Sequence, residues 1–290
     1  MKKILFRGCG TAIATPFTNE NKINYEVLKK YLDFQIENKV DAIIVCGTTG
    51  ESATLSNDEK KELINFTVKY VNKKVPVIAG TGSNNTKSAI ELSRYAEKVG
   101  ADGLLVVTPY YNKTTQEGLI KHYTEIAKNV ELPIIMYNVP SRTGVNILPE
   151  TCLELSKIEN IVAIKEASGN ISQIAKIAQL CRDNLYIYSG NDDQILPILS
   201  IGGIGVISVL SNIKPKEVHD ICEKYINGNI DNAKEIFLKF LPLANSLFCE
   251  VNPIPVKYAL SKIGYDFGKP RLPLIELKNK ELIDSQIEML

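Results

Sequence analysis

The 290-residue chain is short of several features that mark particular protein classes. Its formal net charge is only +1, so the charge balance does not favour binding to nucleic acid or to an anionic membrane. No apolar run approaches the roughly 20 residues of a membrane span. Arg7 interrupts the apolar run near the N-terminus before a signal-peptide core could form. We therefore expect a cytoplasmic protein, with neither nucleic acid nor membrane as a partner.

Cysteine and histidine are too few and too scattered to suggest a metal centre. The six cysteines include no C-x-x-C pair, which in a chain of this size favours free and mostly buried thiols. The two histidines, His122 and His219, lie in polar-flanked, helical-looking segments, where a structural or exposed role is expected. A metal hydrolase is therefore disfavoured, and no metal site is predicted.

What the chain does have is a repeated βα pattern. Short β-branched runs recur roughly every 25–30 residues, with segments of helical periodicity between them. The eight runs cover residues 10–15, 42–46, 75–79, 103–107, 132–137, 161–165, 185–188 and 205–209. Eight alternating units favour a closed (β/α)8 TIM barrel over a doubly wound sheet. After the last run only helical patterns remain, so we predict a catalytic barrel over 1–225 and a small helical C-terminal extension over 226–290.

The run at 161–165 ends in a lysine, which is unusual for a buried parallel strand. Burying an unpaired ammonium costs more free energy than burial of the lysine methylene groups gains. One interpretation is that Lys165 is the first solvated residue after the strand, or half of a buried pair with Glu166. The other is a desolvated amine of depressed pKa, poised to attack a carbonyl.

The polar residues that follow the other runs help to choose between these interpretations. In a (β/α)8 barrel the reactive groups collect where strands end. At those positions the chain carries hydroxyls, tyrosines and one arginine, but no histidine. An exposed lysine of pKa ~10.4 is neutral only about 0.04% of the time at pH 7, and apolar neighbours would raise that fraction. A lysine that forms a Schiff base, with tyrosine hydroxyls moving protons, fits this inventory.

Two glycine-rich loops leave a further alternative open. The loops at 47–50 and 202–205 could cradle a phosphate, as late loops of many barrels do. The first lacks the lysine of a P-loop, and neither fits a dinucleotide fingerprint. The second precedes a strand, so we favour a simple turn there.

Three motifs resemble the dihydrodipicolinate synthase family, and the likeness is collinear from about Gly8 to Leu290. They are Gly47-Thr-Thr-Gly-Glu-Ser-Ala-Thr-Leu55, Tyr137-Asn-Val-Pro-Ser-Arg-Thr-Gly144 and Ile164-Lys-Glu-Ala-Ser-Gly-Asn170. The resemblance implies a class I aldolase-type lyase that condenses pyruvate with L-aspartate 4-semialdehyde. The product would be 4-hydroxytetrahydrodipicolinate, in the diaminopimelate route to lysine. No cofactor is implied beyond a covalent pyruvate imine on the enzyme.

The resemblance also implies the catalytic residues. Lys165 matches the Schiff-base lysine, and Tyr137 the general acid and base. Thr48 and Tyr111 match the rest of a proton relay. In the family the tyrosine at the Tyr111 position reaches into the neighbouring subunit's site, so a homo-oligomer is implied, usually a dimer of dimers.

Further matches concern ligand binding. Thr49 matches a residue that holds the pyruvate carboxylate, and Arg142 one that receives the carboxylate of the second substrate, a task suited to a guanidinium. Gly190 and Ile207 match positions whose backbone carbonyls lie near the lysine. Taken one at a time, each of these residues could equally serve a turn or the core.

A regulatory cleft is the last implication. Ser52, Ala53, Asn84 and Tyr110 match the cleft where many family members bind lysine as a feedback inhibitor. Lys60 and Ser88 stand where lysine-sensitive members commonly carry histidine and glutamate. A cationic residue in place of histidine, and a missing carboxylate, should disfavour an incoming ammonium. We therefore expect weak or absent feedback inhibition.

Two other functions remain in view. N-acetylneuraminate lyase and the keto-sugar acid aldolases share the lysine, the tyrosine and the glycine-threonine loop, but lack the Ser-Arg-Thr-Gly run that begins at Ser141. A non-catalytic barrel that binds a small carboxylate would need the same pocket without a reactive amine.

Overall fold

The computed structural model describes residues 2–289, and its centre is a closed barrel of eight parallel strands in sequence order. The strands are β1 (Gly8–Ala12), β2 (Ala42–Val45), β3 (Val77–Gly80), β4 (Gly103–Val107), β5 (Ile134–Asn138), β6 (Ile161–Glu166), β7 (Tyr186–Ser189) and β8 (Gly205–Ser208). The barrel closes through pairing of β1 with β8. The predicted (β/α)8 TIM barrel is thus confirmed.

Helices connect the strands and cover the outside of the barrel. They are α1 (Tyr25–Glu37), α2 (Asn57–Val71), α3 (Thr86–Lys98), α4 (Gln116–Ala127), α5 (Pro140–Thr143), α6 (Pro149–Leu155), α7 (Ile171–Cys181), α8 (Ile195–Ser200) and α9 (Pro215–Ile226). A capping box begins α2, since Ser56 and Glu59 exchange side-chain and backbone hydrogen bonds. Within residues 2–289, no helix combines the length and the apolar character needed to cross a bilayer.

Three further helices follow the barrel. They are α10 (Ile230–Ser246), α11 (Ile254–Lys262) and α12 (Lys280–Glu288). Helix α10 packs along α9, and α12 packs against both α10 and α11. The part of the chain after the eighth strand is therefore helical, as predicted.

The apolar residues form two layers separated by the barrel wall. The outer layer lies between strands and helices, and the inner layer fills the barrel with side chains such as Ile44, Ile135 and Tyr188. Because side chains alternate along a strand, neighbouring residues face opposite layers. This alternation decides which polar residues of each strand reach the barrel mouth.

Strand bounds differ from the sequence prediction mainly at β1, which begins and ends earlier than expected. Gly8 pairs with Gly205 of β8, where an added Cβ would collide with the Gly8 backbone. The pairing with a strand about two hundred residues away, rather than the local β-branched pattern, sets the position of β1. The loop at 202–205 is a turn leading into β8, as favoured above.

Candidate active site

Lys165 and Tyr137 lie side by side on adjacent strands. They are register partners in β5 and β6, and alternation turns both side chains into the barrel. The Lys165 Nζ lies 4.3 Å from the centroid of the Tyr137 ring. Lys165 is 5% exposed and occupies the fifth position of a six-residue strand, so it is not the first solvated residue after the strand.

The Lys165 ammonium has no fixed partner. Among residues 2–289 it makes neither a hydrogen bond nor a salt bridge to another side chain. The other deeply buried lysine, Lys257, instead pairs with Glu51 at 2.7 Å and donates to the Lys269 carbonyl. A buried amine without a partner is costly, and such groups concentrate at functional sites. Of these two buried lysines, Lys165 is therefore the one whose amine is not engaged by a partner and could react with a ligand.

Glu166 is not the counter-ion of Lys165, which corrects one interpretation of the sequence. As the next residue along β6 it faces the outer layer, where the side chain of Asn138 donates to it at 3.0 Å. The Ser168 backbone N–H and the Gln173 side chain also donate to this carboxylate. Burial raises its pKa, although these hydrogen bonds act in the opposite direction. Glu166 therefore joins the β5 and β6 ends on their outer side.

The loop after β2 carries Thr48 and Thr49 to the barrel mouth. Its two ends, Cys46 and Glu51, adopt positive φ angles of 58° and 55°. Non-glycine residues seldom adopt this backbone, and such positions cluster at functional sites. The buried Lys257–Glu51 pair holds the far end of the loop, and burial is the main cause that lowers the Lys257 pKa. Thr49 is itself 2% exposed.

Arg142 approaches the same space from the short helix α5. Thr143, next to it, fixes this turn, because its hydroxyl lies within hydrogen-bond distance of the Val139 carbonyl at 3.2 Å and of the Val145 carbonyl at 3.0 Å. The Arg142 guanidinium donates to the backbone carbonyl of Asn252 at 3.5 Å and otherwise stays exposed. A guanidinium held in this way can present its remaining donors to a carboxylate.

The ends of β7 and β8 complete the wall. Gly190 must be small, because a Cβ there would lie 2.6 Å from the Cβ of Ala167. Asp192 is buried and accepts hydrogen bonds from the Ser208 hydroxyl at 2.5 Å and from two backbone N–H groups. Burial raises the pKa of Asp192, and the positive charge of Lys165 is among the influences that lower it. Asp192 therefore lies near enough to Lys165 for the two groups to influence each other electrostatically.

These residues surround one cavity of about 190 Å³. Of the predicted residues it brings together Lys165, Tyr137, Thr48, Thr49, Arg142 and Gly190. A second, more open cavity of about 260 Å³ shares Thr48, Tyr137 and Arg142 with it and adds Ser52, Ala53 and Tyr110. The arrangement combines a buried amine, a phenol, hydroxyls and a guanidinium, which together suit carbonyl addition to a small carboxylate.

Comparison with known proteins assigns the chain to a family. Residues 5–287 match the model of the dihydrodipicolinate synthetase family. The chain belongs to this family. It is 60% identical over 281 residues to the 4-hydroxy-tetrahydrodipicolinate synthase of Caldicellulosiruptor saccharolyticus, covering 96% of this chain and 95% of that protein.

Solved structures of dihydrodipicolinate synthases also resemble this chain in fold and sequence. Dihydrodipicolinate synthase from Thermotoga maritima superposes with a TM-score of 0.96 at 46% identity, covering 99% of both chains. The chloride-inhibited enzyme from Acinetobacter baumannii, solved in complex with pyruvate, gives a TM-score of 0.95 at 41% identity, with 97% and 98% of the two chains covered. The family, predicted above from three motifs, is therefore confirmed.

Three of the residues predicted for the site lie outside both cavities. Tyr111 is 91% exposed, with a φ of 71°, so its ring makes little contact with its own chain. Ile207 is buried inside the barrel, and Asn84 uses its backbone carbonyl to bind the Asn112 side chain. Nor, among residues 2–289, does a hydrogen bond join the Thr48 and Tyr137 hydroxyls.

Sequence reasoning missed the contribution of the C-terminal extension to the barrel mouth of this chain. Phe248 and Asn252 line the cavity that holds Lys165, and Asn252 donates to the Thr49 hydroxyl at 3.0 Å. The only local signal is an asparagine placed directly before Pro253 in an otherwise apolar stretch. That signal is too weak to identify a site residue.

One group of side chains in the described part of the chain could hold a metal ion. His219, Asp220 and Glu223 on the outer helix α9 place their ligand atoms within 4.8 Å of one another. His219 is bound by Asp41 at 2.8 Å, and Asp220 by Lys216 at 2.5 Å. None of these residues lines the cavity around Lys165, and all three already take part in salt bridges, since Glu223 lies 3.8 Å from His219.

Proposed function

We propose that the protein condenses pyruvate with L-aspartate 4-semialdehyde to form 4-hydroxytetrahydrodipicolinate, with Lys165 as the nucleophile. The observation that carries the proposal is a buried, unpartnered lysine next to Tyr137 in a cavity that Arg142 also lines. The relatives named 4-hydroxy-tetrahydrodipicolinate synthase support the same substrates. No dissociable cofactor is needed, because the enzyme's own amine forms the electron sink.

The chemistry follows from the placement of these groups. The neutral Lys165 amine adds to the C2 carbonyl of pyruvate, and loss of water leaves an iminium that acidifies the C3 hydrogens. Removal of a C3 proton gives an enamine, whose C3 attacks the aldehyde of the second substrate. The amino group of that substrate then displaces Lys165 from C2, which closes the ring and frees the lysine. One water is released overall.

Each proton transfer needs a group at the reacting atoms. The Tyr137 phenol is beside the lysine and suits the transfers at the carbinolamine and the aldehyde oxygen. Thr48 would link Tyr137 to a second tyrosine, Tyr111, supplied by a neighbouring subunit. Thr49 would bind the pyruvate carboxylate, and Arg142 the carboxylate of the second substrate. The backbone carbonyls of Gly190 and Ile207 would face the lysine.

The direct test is a pair of assays on the purified protein. We expect consumption of pyruvate that depends on L-aspartate 4-semialdehyde, with formation of the cyclic product. Cleavage of N-acetylneuraminate to pyruvate should be negligible, because Arg142 is placed for the single carboxylate of a short amino-acid aldehyde. Rapid sialic acid cleavage without condensation would instead support the lyase function.

Tyr111→Phe is expected to lower kcat by about 10²-fold, the scale of a lost general acid–base group, while the fold stays intact. The ring is 91% exposed in the single chain, so its hydroxyl supports no internal contact there. Tyr95→Phe, a hydroxyl deletion on α3, is the matched control and should keep full activity. Turnover and melting temperature measure the two effects.

A mixing experiment shows whether Tyr111 acts in the partner's site. Neither Tyr111→Phe nor Lys165→Met subunits should be active alone. A mixed dimer contains one site with both an intact Lys165 and an intact Tyr111, so random mixing should restore about a quarter of wild-type activity. No recovery in verified mixed dimers would place Tyr111 in its own subunit's site or outside catalysis. We propose a dimer of dimers as the assembled form.

Weak feedback by lysine is a further expectation. Ser52, Ala53 and Tyr110 line the outer cavity, whereas Asn84 does not. Half-maximal inhibition should require L-lysine at or above the millimolar range, and L-norleucine, which lacks the side-chain ammonium, is the control ligand. Replacing Lys60 by His and Ser88 by Glu together should lower that concentration, because it removes a cation and adds a carboxylate. Half-maximal inhibition of the unmodified protein below the millimolar range would contradict the expectation.

We also propose that residues 1–225 form the catalytic barrel and 226–290 an extension of it, not an independent domain. The extension supplies Phe248 and Asn252 to the cavity and Lys257 to the Glu51 pair, which supports this division. A cytoplasmic location suits an enzyme of amino-acid biosynthesis.

A further inference from the structure

Asn252 occupies an unusual position between α10 and α11. It is 5% exposed and lines the cavity that contains Lys165. Its Nδ2 donates to the Thr49 hydroxyl at 3.0 Å, which is the only hydrogen bond that this side chain makes within residues 2–289. The Oδ1 atom is buried and has no partner among those residues. The N–H group is therefore the part of this amide that makes a hydrogen bond within the described chain. The buried, unpartnered carbonyl oxygen destabilises the fold.

The direction of this hydrogen bond decides what Thr49 can do. A hydroxyl has one proton to donate, and it can accept from other donors at the same time. Because Asn252 donates to Thr49, the Thr49 proton is not used to bind Asn252. Within the described chain that hydroxyl donates to no protein acceptor, so its proton is available to an anion in the cavity.

The rest of the Thr49 loop is held by the same C-terminal extension. Lys257 pairs with one carboxylate oxygen of Glu51 at 2.7 Å, and the Arg271 backbone N–H donates to the other at 2.8 Å. These contacts hold the Glu51 side chain, two residues after Thr49. The Thr49 hydroxyl itself is contacted by the amide of Asn252.

We propose that Asn252 is a positioning residue for the first substrate: its amide N–H directs the Thr49 O–H toward the carboxylate of an α-keto acid bound at Lys165. The inference rests on the proposed function. It assigns the C-terminal extension an indirect part in substrate binding, through Thr49 on one side of the cavity. On the other side the Asn252 backbone carbonyl binds Arg142, and a side-chain substitution leaves that carbonyl in place.

This separation of side chain from backbone gives the test its specificity. Asn252→Asp should raise the KM for pyruvate by about 10- to 100-fold, the worth of a hydrogen bond to a charged group. The new carboxylate would accept the Thr49 proton and repel the pyruvate carboxylate. Asn252→Ala removes the donor without adding charge and should raise the same KM less. In both variants the KM for L-aspartate 4-semialdehyde should change by less than about 2-fold, because Arg142 keeps its partner.

A double-mutant cycle tests whether the effect passes through Thr49. In a Thr49→Val background, Asn252→Ala should add less than about 2-fold to the pyruvate KM, because the hydroxyl it would orient is gone. Asn232→Asp, an exposed asparagine on α10 given the same charge change, is the control and should leave both KM values unaltered. Multiplicative effects of Thr49→Val and Asn252→Ala, or equal changes in both KM values, would overturn the inference.

Wild-type behaviour separates this inference from the proposed function. If the unmodified protein forms no reducible adduct with pyruvate at Lys165, the proposed function fails. If it does, and Asn252→Asp and Asn252→Ala keep the wild-type KM for pyruvate, only the role of Asn252 fails. Circular dichroism and melting curves report whether each variant folds. If Asn252→Asp does not fold, the test rests on Asn252→Ala. Loss of folding in both would mean that the amide serves the fold and would also overturn the inference.

Discussion

Replacing Lys165 by Met is expected to reduce condensation by on the order of 10³-fold or more, because removal of a covalent nucleophile costs at least that much in comparable enzymes. Met has almost the same length and no amine. The variant should also be as thermally stable as the unmodified protein, or more so. Lys165 is 5% exposed and has no hydrogen-bond partner within residues 2–289, so its removal takes away a buried charge and breaks no hydrogen bond or ion pair.

Lys165→Arg separates charge from nucleophilicity. A guanidinium keeps the positive charge near Asp192 but stays protonated, so it cannot add to a carbonyl. We expect Lys165→Arg to be as inactive as Lys165→Met. An Arg variant with substantial activity would mean that the side chain acts only as a cation.

Borohydride trapping identifies the reacting amine. Incubation with pyruvate followed by reduction should add one reduced pyruvate unit to the peptide that contains Lys165, and to no peptide in Lys165→Met. Lys257 is the internal control, because it is equally buried but holds its ammonium in a 2.7 Å pair with Glu51. An adduct at Lys257, or none at all, would refute the Schiff-base mechanism and favour a carboxylate-binding protein.

The features that could be predicted from sequence are those with a local cause. Lys165 stood out because a lysine at the end of an apolar strand breaks the pattern of that strand, and such breaks are expected at functional positions. Tyr137 and Arg142 followed, because parallel strands of a barrel end at one mouth. The alternation of side chains likewise explains why Lys165 and Glu166, adjacent in sequence, face opposite layers.

The features that could not be predicted depend on contacts between distant parts of the chain. Asn252 binds Thr49 across 203 positions of sequence, and Lys257 binds Glu51 across 206. Neither contact leaves a periodic or spacing signal. The same reason explains the error at β1, whose bounds depend on pairing with β8. Tyr111 is a different case, since its predicted partner lies in another subunit.

Lys257→Met is expected to destabilise the protein by about 3–5 kcal/mol, the usual cost of leaving one member of a buried ion pair alone. The two side chains are 2% and 0% exposed, so water cannot replace the lost partner. The Arg271 backbone N–H would remain as a donor to the Glu51 carboxylate. Urea or thermal unfolding measures the loss, provided that the transition is reversible.

The matched double variant shows whether the cost comes from the pair itself. Lys257→Met combined with Glu51→Met replaces both charges by apolar side chains of similar size and should recover most of the lost stability. Lys262→Met, which breaks the half-exposed 3.0 Å pair with Asp284, should cost much less stability than Lys257→Met, because water replaces the lost partner. Equal losses in Lys257→Met and Lys262→Met would contradict the special role given to the buried pair.

The same variant connects stability to substrate binding. Glu51 ends the loop that carries Thr49, and Lys257 is the cation that holds it against the C-terminal extension. Lys257→Met should therefore raise the pyruvate KM even at temperatures where the variant is fully folded, because the loop loses one of its three contacts with the C-terminal extension. The chemical step at Lys165 should be less affected, since β5 and β6 hold that lysine and Tyr137 independently of the loop. A Lys257→Met protein with an unchanged pyruvate KM would mean that Asn252 and the Arg271 backbone alone suffice to hold Thr49.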